Sequence, residues 1–441
     1  MFGKRWNQQR RRLGLFEQLE PRQMLAGNVT VTPEAIYAST ANNIEIIGDS
    51  ANNRIQILND GTPSIYRIVG LPDTKTGQPT TVNGLPEITV DMTSRPGDVG
   101  IYAFMGDGDD EVYIRGSHFY RAQIYGEAGN DTLQIGDYAA YNDPNAGDPA
   151  AQSYFSGTST LFGGSGADTF RVYRANFLGA GDLWIQAGPP SETARETVDI
   201  YLVVTEQLSI NMGGGSDQVN IGYTTVIRGA GISLGRGNDL LSSYASRFNT
   251  LDAAGGSGDD FLAMDVNSYD YVVKIFGDGG DNYEDPYANP PLTYGNDTVL
   301  LSRSTFNQLG QSQQVWVNGE AGNDTFLIGK YYAVNSNGQV YLANAGSYIP
   351  YLLANLGSGN DTATFAANII DDFYLFMGGG DDTANLESNL VTKWIFYGDH
   401  NWEYGVYTPS PGYDRLRRYN NSFDPSNANQ VGIESNVFGP F

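Results

Sequence analysis

The sequence contains no cysteine, only two histidines and no apolar stretch long enough to cross a membrane as a helix. Without cysteine, disulfide bonds, thiolate metal sites and a cysteine nucleophile are excluded. A membrane-spanning helix needs roughly 18 or more consecutive apolar residues, and no run of that length occurs in the 441 positions. The sequence therefore predicts a chain without disulfides and without a transmembrane segment.

Basic residues are scarce as well. The chain has 25 Lys and Arg against 50 Asp and Glu, which gives a formal net charge of −25. A field of this sign repels phosphate backbones and anionic lipids, so we expect no nucleic-acid partner. It attracts cations, and it also keeps an exported protein soluble. Gly is plentiful at 55 residues and hydrophobic residues reach 40%. This combination indicates many turns between short strands rather than disorder.

Residues 1–28 differ in composition from the rest of the chain. They carry a net charge of +4, and Glu17 interrupts their apolar stretch. A standard secretory signal needs an uninterrupted apolar region of about 7–15 residues, which this segment lacks. Residues 16–26, FEQLEPRQMLA, instead resemble the LEPR-XLL segment that opens many large secreted or cell-surface proteins of certain bacteria, with Met24 where Leu is usual. The resemblance implies export, and we expect residues 1–28 to lie outside the fold.

One phrase recurs along the chain. Its best copies are residues 126–136, GEAGNDTLQIG, and residues 319–329, GEAGNDTFLIG. Two and four residues after the Asp of a copy stands an apolar residue, as with Leu133 and Ile135, and the positions between are mostly polar. This alternation predicts a β-strand with one buried face, and the preceding glycines predict a turn with positive φ. The Asp residues that mark the copies are Asp110, Asp131, Asp168, Asp217, Asp239, Asp260, Asp281, Asp297, Asp324, Asp361 and Asp382.

The spacing of the copies predicts the architecture. Half of the neighbouring Asp residues are 21 or 22 positions apart, and a weaker copy around Asp199 divides the longest interval. A period near 21 residues suits one turn of a three-sided parallel β-helix, whereas a β-propeller blade needs about twice that length. We therefore predict an all-β fold, a single-stranded right-handed parallel β-helix (β-solenoid) of about 12–14 coils with insertions. Residues 29–115 are expected to form an N-terminal cap and the first coils, residues 116–397 the β-helix, and residues 398–441 a C-terminal cap.

Stacked coils would bring the Asp residues of successive corners to within ~4.8 Å of one another. Amide donors of the glycine turns, interleaved Asn residues or Ca²⁺ could each relieve their repulsion, and these alternatives stay open. Residues 163–170, GGSGADTF, and residues 255–262, GGSGDDFL, resemble the GGxGxDxUx repeats of hemolysin-type (RTX) proteins, but the copies here do not follow one another directly. The resemblance implies bound Ca²⁺. The candidate ligands are Asp107, Asp109, Asp110, Asp131, Asp168, Asp217, Asp239, Asp259, Asp260, Asp278, Asp281, Asp324, Asp361, Asp381 and Asp382.

Tyrosine is concentrated in the insertions between the copies. Exposed Tyr suits protein interfaces and stacking on sugars, and buried Tyr would pack onto the flank of the solenoid. The residues concerned are Tyr138, Tyr141, Tyr154, Tyr283, Tyr287, Tyr294, Tyr331, Tyr332, Tyr341, Tyr348 and Tyr351. We expect an exported structural or adhesive protein of the bacterial surface or extracellular matrix that contacts other surface proteins or polysaccharide through these loops.

The alternative function is a polysaccharide lyase or hydrolase, because parallel β-helices also host such enzymes, although fold alone is weak support. These enzymes need paired carboxylates, or a base such as Lys, Arg or His beside a metal. The two histidines are His118, which follows a predicted strand, and His400, in a stretch that fits a terminal cap. The sequence shows no nucleophile elbow, zinc motif or phosphate loop, so it favours a protein without catalytic activity.

Overall fold

The computed structural model describes residues 27–34, 42–59, 61–94, 99–116, 119–137, 152–279, 294–306, 313–334, 339–398, 400–403, 406–409, 414–419, 422–423, 428–431 and 435–438. Within these residues the chain forms strands and turns and no α-helix. The expectation of an all-β fold is therefore confirmed.

The strands are numbered in chain order. The N-terminal strands are β1 (Asn28–Glu34), β2 (Asn42–Ile47), β3 (Arg54–Asn59), β4 (Ile65–Gly70), β5 (Thr81–Val82), β6 (Glu87–Asp91), β7 (Val99–Phe104) and β8 (Glu111–Gly116). The middle of the chain forms β9 (Phe119–Ala128), β10 (Thr132–Ile135), β11 (Ser153–Phe155), β12 (Ser159–Ser165), β13 (Thr169–Tyr173), β14 (Ala175–Phe177), β15 (Leu183–Gln186), β16 (Thr197–Tyr201), β17 (Val204–Asn211), β18 (Gln218–Gly222), β19 (Thr225–Arg236), β20 (Leu240–Tyr244), β21 (Arg247–Phe248), β22 (Leu251–Ser257), β23 (Phe261–Asp265), β24 (Ser268–Tyr269), β25 (Val272–Phe276), β26 (Thr298–Ser302), β27 (Thr305–Phe306), β28 (Gln314–Asn318) and β29 (Thr325–Ile328). The last strands are β30 (Lys330–Val334), β31 (Val340–Asn344), β32 (Tyr348–Asn355), β33 (Thr362–Ala366), β34 (Ile369–Phe376), β35 (Thr383–Glu387), β36 (Leu390–Tyr397), β37 (His400–Glu403), β38 (Val406–Pro409), β39 (Arg415–Tyr419), β40 (Ser422–Phe423), β41 (Ala428–Val431) and β42 (Ser435–Phe438).

One strand from each repeat enters a first sheet of sixteen strands. From β3 its order is β8, β10, β13, β16, β18, β20, β23, β26, β29, β33, β35, β39 and β42, and each neighbouring pair in this series is parallel. The register advances by whole repeats, so that Leu240 lies opposite Phe261 and Leu133 lies opposite Phe170. Equivalent residues of successive repeats are therefore direct neighbours.

The other strands of each repeat enter a second sheet, which contains 22 strands. After β20, for example, the chain makes the short strand β21 and the longer strand β22 before β23 returns to the first sheet. β21 pairs in parallel with β19 and β24, and β22 pairs in parallel with β19 and β25. This repeat thus contains three strands, as its period of about 21 residues predicts.

The alternating apolar residues face one continuous core. Along the first sheet the inward positions are fully buried, as with Val112 and Ile114 in β8 or Phe326 and Ile328 in β29. Buried aromatic rings also stack from repeat to repeat, and the ring centroids of Phe119 and Phe155 are 5.3 Å apart. Burial of this apolar surface is the main driving force for folding.

Antiparallel strands occur at the start of the chain. β1 pairs antiparallel with β2, and β4 pairs antiparallel with both β3 and β6. These pairings lie at the beginning of the parallel series, in the region where the sequence predicts a cap.

Two repeat assignments made from the Asp residues are wrong in the structure. Thr197 lies opposite both Thr169 and Gln218, so the residue that precedes the strand between them is Glu196 and not Asp199. β23 pairs directly with β26, so the repeat marked by Asp260 is followed by the one marked by Asp297. Asp281, which was predicted to mark a repeat of its own, lies outside the described residues. Asp199 occupies an outward-facing position of β16, where an Asp marks no repeat.

Candidate functional site

A column of acidic residues runs along one edge of the first sheet. Each member immediately precedes a strand of that sheet and is at most 3% exposed to solvent. We call this set the acid column. Its members are Asp110, Asp131, Asp168, Glu196, Asp217, Asp239, Asp260, Asp297, Asp324, Asp361, Asp382 and Asp414, and Asn53 holds the same position before β3.

Most carboxyls of the acid column reach back to the preceding repeat. The backbone N–H of Asp131 donates to Oδ1 of Asp168, and that of Asp260 donates to Oδ1 of Asp297, both at 2.8 Å. The same bond joins nine further pairs of neighbours, beginning with the Asn53 N–H and Oδ1 of Asp110. The column is therefore a ladder of side-chain to backbone hydrogen bonds between repeats.

The second carboxyl oxygen of these residues is buried without a hydrogen-bond partner among the described residues. This holds for Oδ2 of Asp110, Asp131, Asp168, Asp217, Asp239, Asp260, Asp297, Asp324, Asp361 and Asp382, and for both Oε atoms of Glu196. An ionised carboxylate in such a place is costly, because burial removes the water that would otherwise solvate it.

Glycines of the repeated phrase make room for this oxygen. A methyl group added at Gly319 would lie 2.3 Å from Asp324 Oδ2 and 2.3 Å from the backbone oxygen of Leu356 in the next repeat. At Gly126 the same addition would lie 2.2 Å from Asp131 Oδ2 and 2.6 Å from the backbone oxygen of Gly163. In both places the free carboxyl oxygen and a backbone carbonyl oxygen adjoin the same small space. Two acceptors that face each other in this way are compatible when the carboxyl carries a proton.

The pKa values agree with a protonated column. Burial raises the pKa of Asp131, Asp168 and Asp297 to about 7, and it raises the pKa of Asp260 and Asp382 to about 9. In each case the single amide hydrogen bond lowers the pKa, but by less than burial raises it. Much of the column is therefore neutral at physiological pH.

The sequence analysis missed two column members, Asp414 and Glu196, and Glu196 shows why. It is fully buried, and burial together with the Asp217 carboxyl raises its pKa far above the ordinary range. The Glu196 N–H donates to Oδ1 of Asp217 at 2.9 Å, as an Asp in this position would. Asp199 instead lies on strand β16 and accepts a hydrogen bond from Asn220 Nδ2 at 2.8 Å. The available signal was the apolar alternation of Val198 and Ile200, which sets the strand register without reference to Asp.

A second ladder lies one residue before the acid column and runs in the opposite direction. The Asn130 N–H donates to Oδ1 of Asp109 in the preceding repeat at 2.8 Å, and the Asp381 N–H donates to Oδ1 of Asn360 at 2.8 Å. We call this set the outer column. Its members are Asn52, Asp109, Asn130, Asn238, Asp259, Asn296, Asn323, Asn360 and Asp381. Its bonds are formed near the surface, and together the two ladders join neighbouring corners at every described step except the one between Asp168 and Glu196.

Another polar ladder occupies the next corner of the repeat, and the sequence analysis missed it entirely. The N–H of Ser246 donates to Oδ1 of Asn267 at 2.9 Å, and the N–H of Asn368 donates to Oδ1 of Asn389 at 3.0 Å. Both acceptors are nearly fully buried. The residue before each of these four positions has positive φ, as with Val266 at 57°. An Asn or Ser seven residues after the column acid, as at Asn267 after Asp260, is a signal that could have revealed it.

The predicted calcium ligands do not form one kind of site. Asp110, Asp131, Asp168, Asp217, Asp239, Asp260, Asp324, Asp361 and Asp382 are in the acid column, Asp109, Asp259 and Asp381 are in the outer column, and Asp107 is exposed nearby. Asp278 is buried elsewhere in the corner, and its two oxygens accept the N–H groups of Gly295 and Ala321, each at 3.1 Å. Asp281 lies outside the described residues. Within the described ranges no three His, Cys, Asp or Glu side chains converge as a metal-binding group.

The Tyr-rich insertions are described in part. Tyr138, Tyr141, Tyr283 and Tyr287 lie outside the described residues, whereas Tyr154 and Tyr294 are exposed. The insertion after β29 forms an antiparallel hairpin of β30 and β31, which is a two-stranded sheet of its own. We call these two strands, β30 and β31, the arm.

The arm both packs on the flank of the first sheet and projects from it. The Arg303 guanidinium lies 4.2 Å from the ring centroid of Tyr331, and Lys330 Nζ donates to Glu387 Oε2 at 2.7 Å. Tyr332 and Tyr341 are each 50% exposed. Among the other candidates, Tyr348 is exposed and Tyr351 packs against Tyr374 with ring centroids 5.2 Å apart.

Of the two histidines considered for catalysis, the structure describes the backbone of His400. His118 lies outside the described residues, and His400 begins strand β37, which pairs antiparallel with β38.

No described segment is a helix with the length and apolar character needed to cross a membrane.

Comparison with known proteins leaves the site to be interpreted from its own geometry. No family model, no curated protein and no solved structure matches the chain.

Proposed function

We propose that this chain is an exported structural and adhesive protein of the bacterial cell surface or extracellular matrix. Its scaffold in this proposal is a single-stranded right-handed parallel β-helix of about 12–14 coils, each of ~21 residues with insertions. Other surface proteins or a polysaccharide bind to the Tyr-rich insertions that project from it. Residues 1–28 serve export and are not part of the scaffold.

The observation that carries the proposal is the unbroken parallel register of the first sheet from β3 to β42. Each repeat contacts its neighbours through the same residues, so the stack extends in one dimension. Fourteen strands in this series, at roughly 4.8 Å each, extend over about 60 Å. An extended support of this kind can hold binding loops away from the surface to which it is attached.

The chemistry of the corners suits such a support. The acid column and the outer column connect every described pair of neighbouring corners through backbone amides, apart from the step between Asp168 and Glu196. We take protons and amide donors as the groups that balance the buried carboxyls. Calcium, which the RTX resemblance implies, is the competing account, and a chelation experiment distinguishes the two.

Export is tested by locating the full-length chain. Antibodies raised against the purified protein are applied to intact cells, to the culture medium and to lysed cells of the producing bacterium. We expect the protein on intact cells or in the medium, and we expect protease added to intact cells to remove the surface fraction. The triple variant Glu20→Ala, Pro21→Ala, Arg22→Ala should remain inside, while the matched variant Arg10→Ala, Arg11→Ala, Arg12→Ala should be exported. Detection of the unchanged protein only after lysis would contradict the proposal.

A further inference from the structure

The arm is a hairpin that forms outside the two large sheets, as β37 and β38 also do, and it carries exposed apolar side chains. β30 pairs with β31 from Lys330 opposite Asn344 to Val334 opposite Val340. Within the described residues β31 pairs with no other strand, so its second edge leaves backbone N–H and C=O groups available. An isolated two-stranded sheet is marginally stable in water, and a further strand on a free edge would stabilise it.

The base of the arm is held in place. The Ala345 N–H donates to the Gly329 carbonyl at 2.8 Å, and the Arg303 N–H donates to the Ala345 carbonyl at 3.2 Å. Together with the Lys330–Glu387 ion pair and the Arg303–Tyr331 contact, these bonds fix the direction in which the hairpin leaves the flank. The edge of β31 is thus presented by a rigid support, which lowers the entropic cost of binding.

The side chains of β31 are apolar and exposed. Val340 is 65% exposed, Tyr341 50% and Leu342 44%. Natural edge strands are usually protected by Lys, Pro or a bulge, and the β31 sequence VYLAN contains neither Lys nor Pro. Residues 331–346, YYAVNSNGQVYLANAG, hold no charged residue in a chain whose net charge is −25. The arm is therefore a surface at which another acidic chain can approach without direct charge repulsion.

We propose that β31 pairs antiparallel with β31 of a second copy of this chain, about a two-fold axis at Leu342. Identical strands can pair antiparallel across such an axis, which places each residue opposite its symmetry equivalent around the centre. Val340 then faces Asn344 of the other copy, and Tyr341 faces Ala343. The two hairpins become one four-stranded antiparallel sheet, in the manner of β-strand addition. This inference rests on the proposed function, in which the Tyr-rich insertions are binding loops, and it names the partner of one of them.

A second copy fits the arm better than a polysaccharide does. The free edge offers alternating backbone donors and acceptors at the spacing of a β-strand, and another strand satisfies them in series. A polysaccharide would use the exposed Tyr rings and would leave much of that backbone edge to water. Polysaccharide binding is accordingly one of the outcomes that the experiment separates from self-association.

Single cysteines provide a direct test, because the chain has none of its own. In the full-length protein, Leu342→Cys should form an intermolecular disulfide under mild oxidation. Residues opposite each other across an antiparallel pair have Cα atoms about 4.5–5.5 Å apart, within the range of a disulfide. Tyr223→Cys is the matched control, since Tyr223 is 49% exposed on the same flank of the repeats but lies outside the arm. This control variant should remain a monomer, without an intermolecular disulfide, under the same oxidising conditions.

The unmodified protein tests the same contact without a cross-link. We expect its sedimentation coefficient to rise with protein concentration from monomer to dimer. Tyr341→Lys should abolish the dimer, because it places a charge on each copy beside the axis, whereas Tyr223→Lys should leave it intact. Thermal melting of both variants shows whether the scaffold is folded.

The outcomes separate this inference from the proposed function. A monomer at all concentrations, or equal cross-linking of the Leu342→Cys and Tyr223→Cys chains, would overturn the pairing of β31. Loss of polysaccharide binding in Tyr341→Lys, in a chain that is monomeric throughout, would assign the arm to polysaccharide instead. Neither result changes the location of the protein, which the antibody experiment measures independently.

Discussion

The backbone N–H of Asp324 donates to Oδ1 of Asp361 at 2.7 Å, although 37 residues separate the two positions. The contact joins neighbouring repeats across the insertion that forms the arm. It repeats the bond between Asp131 and Asp168, which also spans an insertion. The acid column therefore keeps its geometry when residues are added elsewhere in the repeat, which makes it the feature that fixes the register of one repeat on the next.

Replacing a column acid by its amide should stabilise the protein at alkaline pH. Asp324→Asn keeps an oxygen for the Asp297 N–H, and its new amide group can donate to the nearby Leu356 carbonyl. Because burial raises the pKa of Asp324 to about 8, we expect a gain of about 1–3 kcal/mol in the free energy of unfolding near pH 9 and little change near pH 5. Chemical denaturation at both pH values measures the difference.

The same position offers two controls. Asp324→Ala removes the acceptor and should destabilise the protein by about 1–3 kcal/mol at both pH values. Asp259→Asn, in the exposed outer column, should leave the pH dependence unchanged. A loss of stability in Asp324→Asn at alkaline pH would show that the column needs its negative charge.

The whole protein should lose stability as the pH rises from about 5 to about 9. The folded pKa values of column residues such as Asp131, Asp260 and Asp324 lie at about 7 to 9, above the value near 3.9 for Asp in an unfolded chain. The folded state thus binds more protons than the unfolded state between these values. The associated stability is fully present below about pH 4 and is lost as the pH rises through the folded pKa values. Melting temperatures measured across this range should fall steadily; a constant or rising melting temperature would contradict a buried protonated column.

The sequence was sufficient to predict the strands and the column as a general feature. Residues such as Leu133 and Ile135 alternate with polar neighbours, and burial of one strand face follows directly from that pattern. Glu196 could not be found by matching Asp, because what the position requires is a carboxyl next to a backbone amide rather than one residue type. Burial of the column was also missed, since the sequence does not show that Oδ2 of residues such as Asp131 is enclosed by the next repeat.

The ladder of buried Asn and Ser residues that lies seven residues after the acid column should contribute more to stability than the outer column. Asn368 is 1% exposed, accepts the Ser347 N–H at 3.0 Å and donates to the Ile328 carbonyl at 3.0 Å. Asn368→Ala leaves both buried groups without a partner, and we expect a loss of about 2–4 kcal/mol. Asn323→Ala removes an exposed acceptor that water can replace, so its cost should stay below about 1 kcal/mol. Equal effects of the two variants on denaturant unfolding would mean that burial does not decide the strength of these bonds.

Crowding around the free carboxyl oxygen makes a further prediction. Gly319→Ala would place a methyl group 2.3 Å from Asp324 Oδ2 and from the Leu356 carbonyl oxygen. The carbonyl belongs to the backbone of the next repeat and cannot turn aside, so we expect a loss of about 2 kcal/mol or more. Gly188→Ala is the matched control, because its methyl group would meet only the ends of the Glu192 and Glu196 side chains, at 3.0 and 3.2 Å. Thermal melting should show the larger loss at Gly319; the reverse order would argue against tight packing at Asp324.

Chelation distinguishes the two explanations for the buried carboxyls, which are balanced either by protons and amide donors or by Ca²⁺. In the acid column, Asp oxygens such as Oδ1 of Asp239 and Asp260 already accept an amide hydrogen bond, and the carboxyls are at most 3% exposed. A Ca²⁺ ion needs about six to eight oxygen ligands and would have to displace those bonds. We therefore expect the melting temperature of the full-length protein to be the same with a chelator as with millimolar Ca²⁺, near pH 6 and near pH 9. A fall on chelation that Ca²⁺ reverses, and that Asp259→Asn together with Asp381→Asn removes, would instead place calcium at the exposed acids of the outer column.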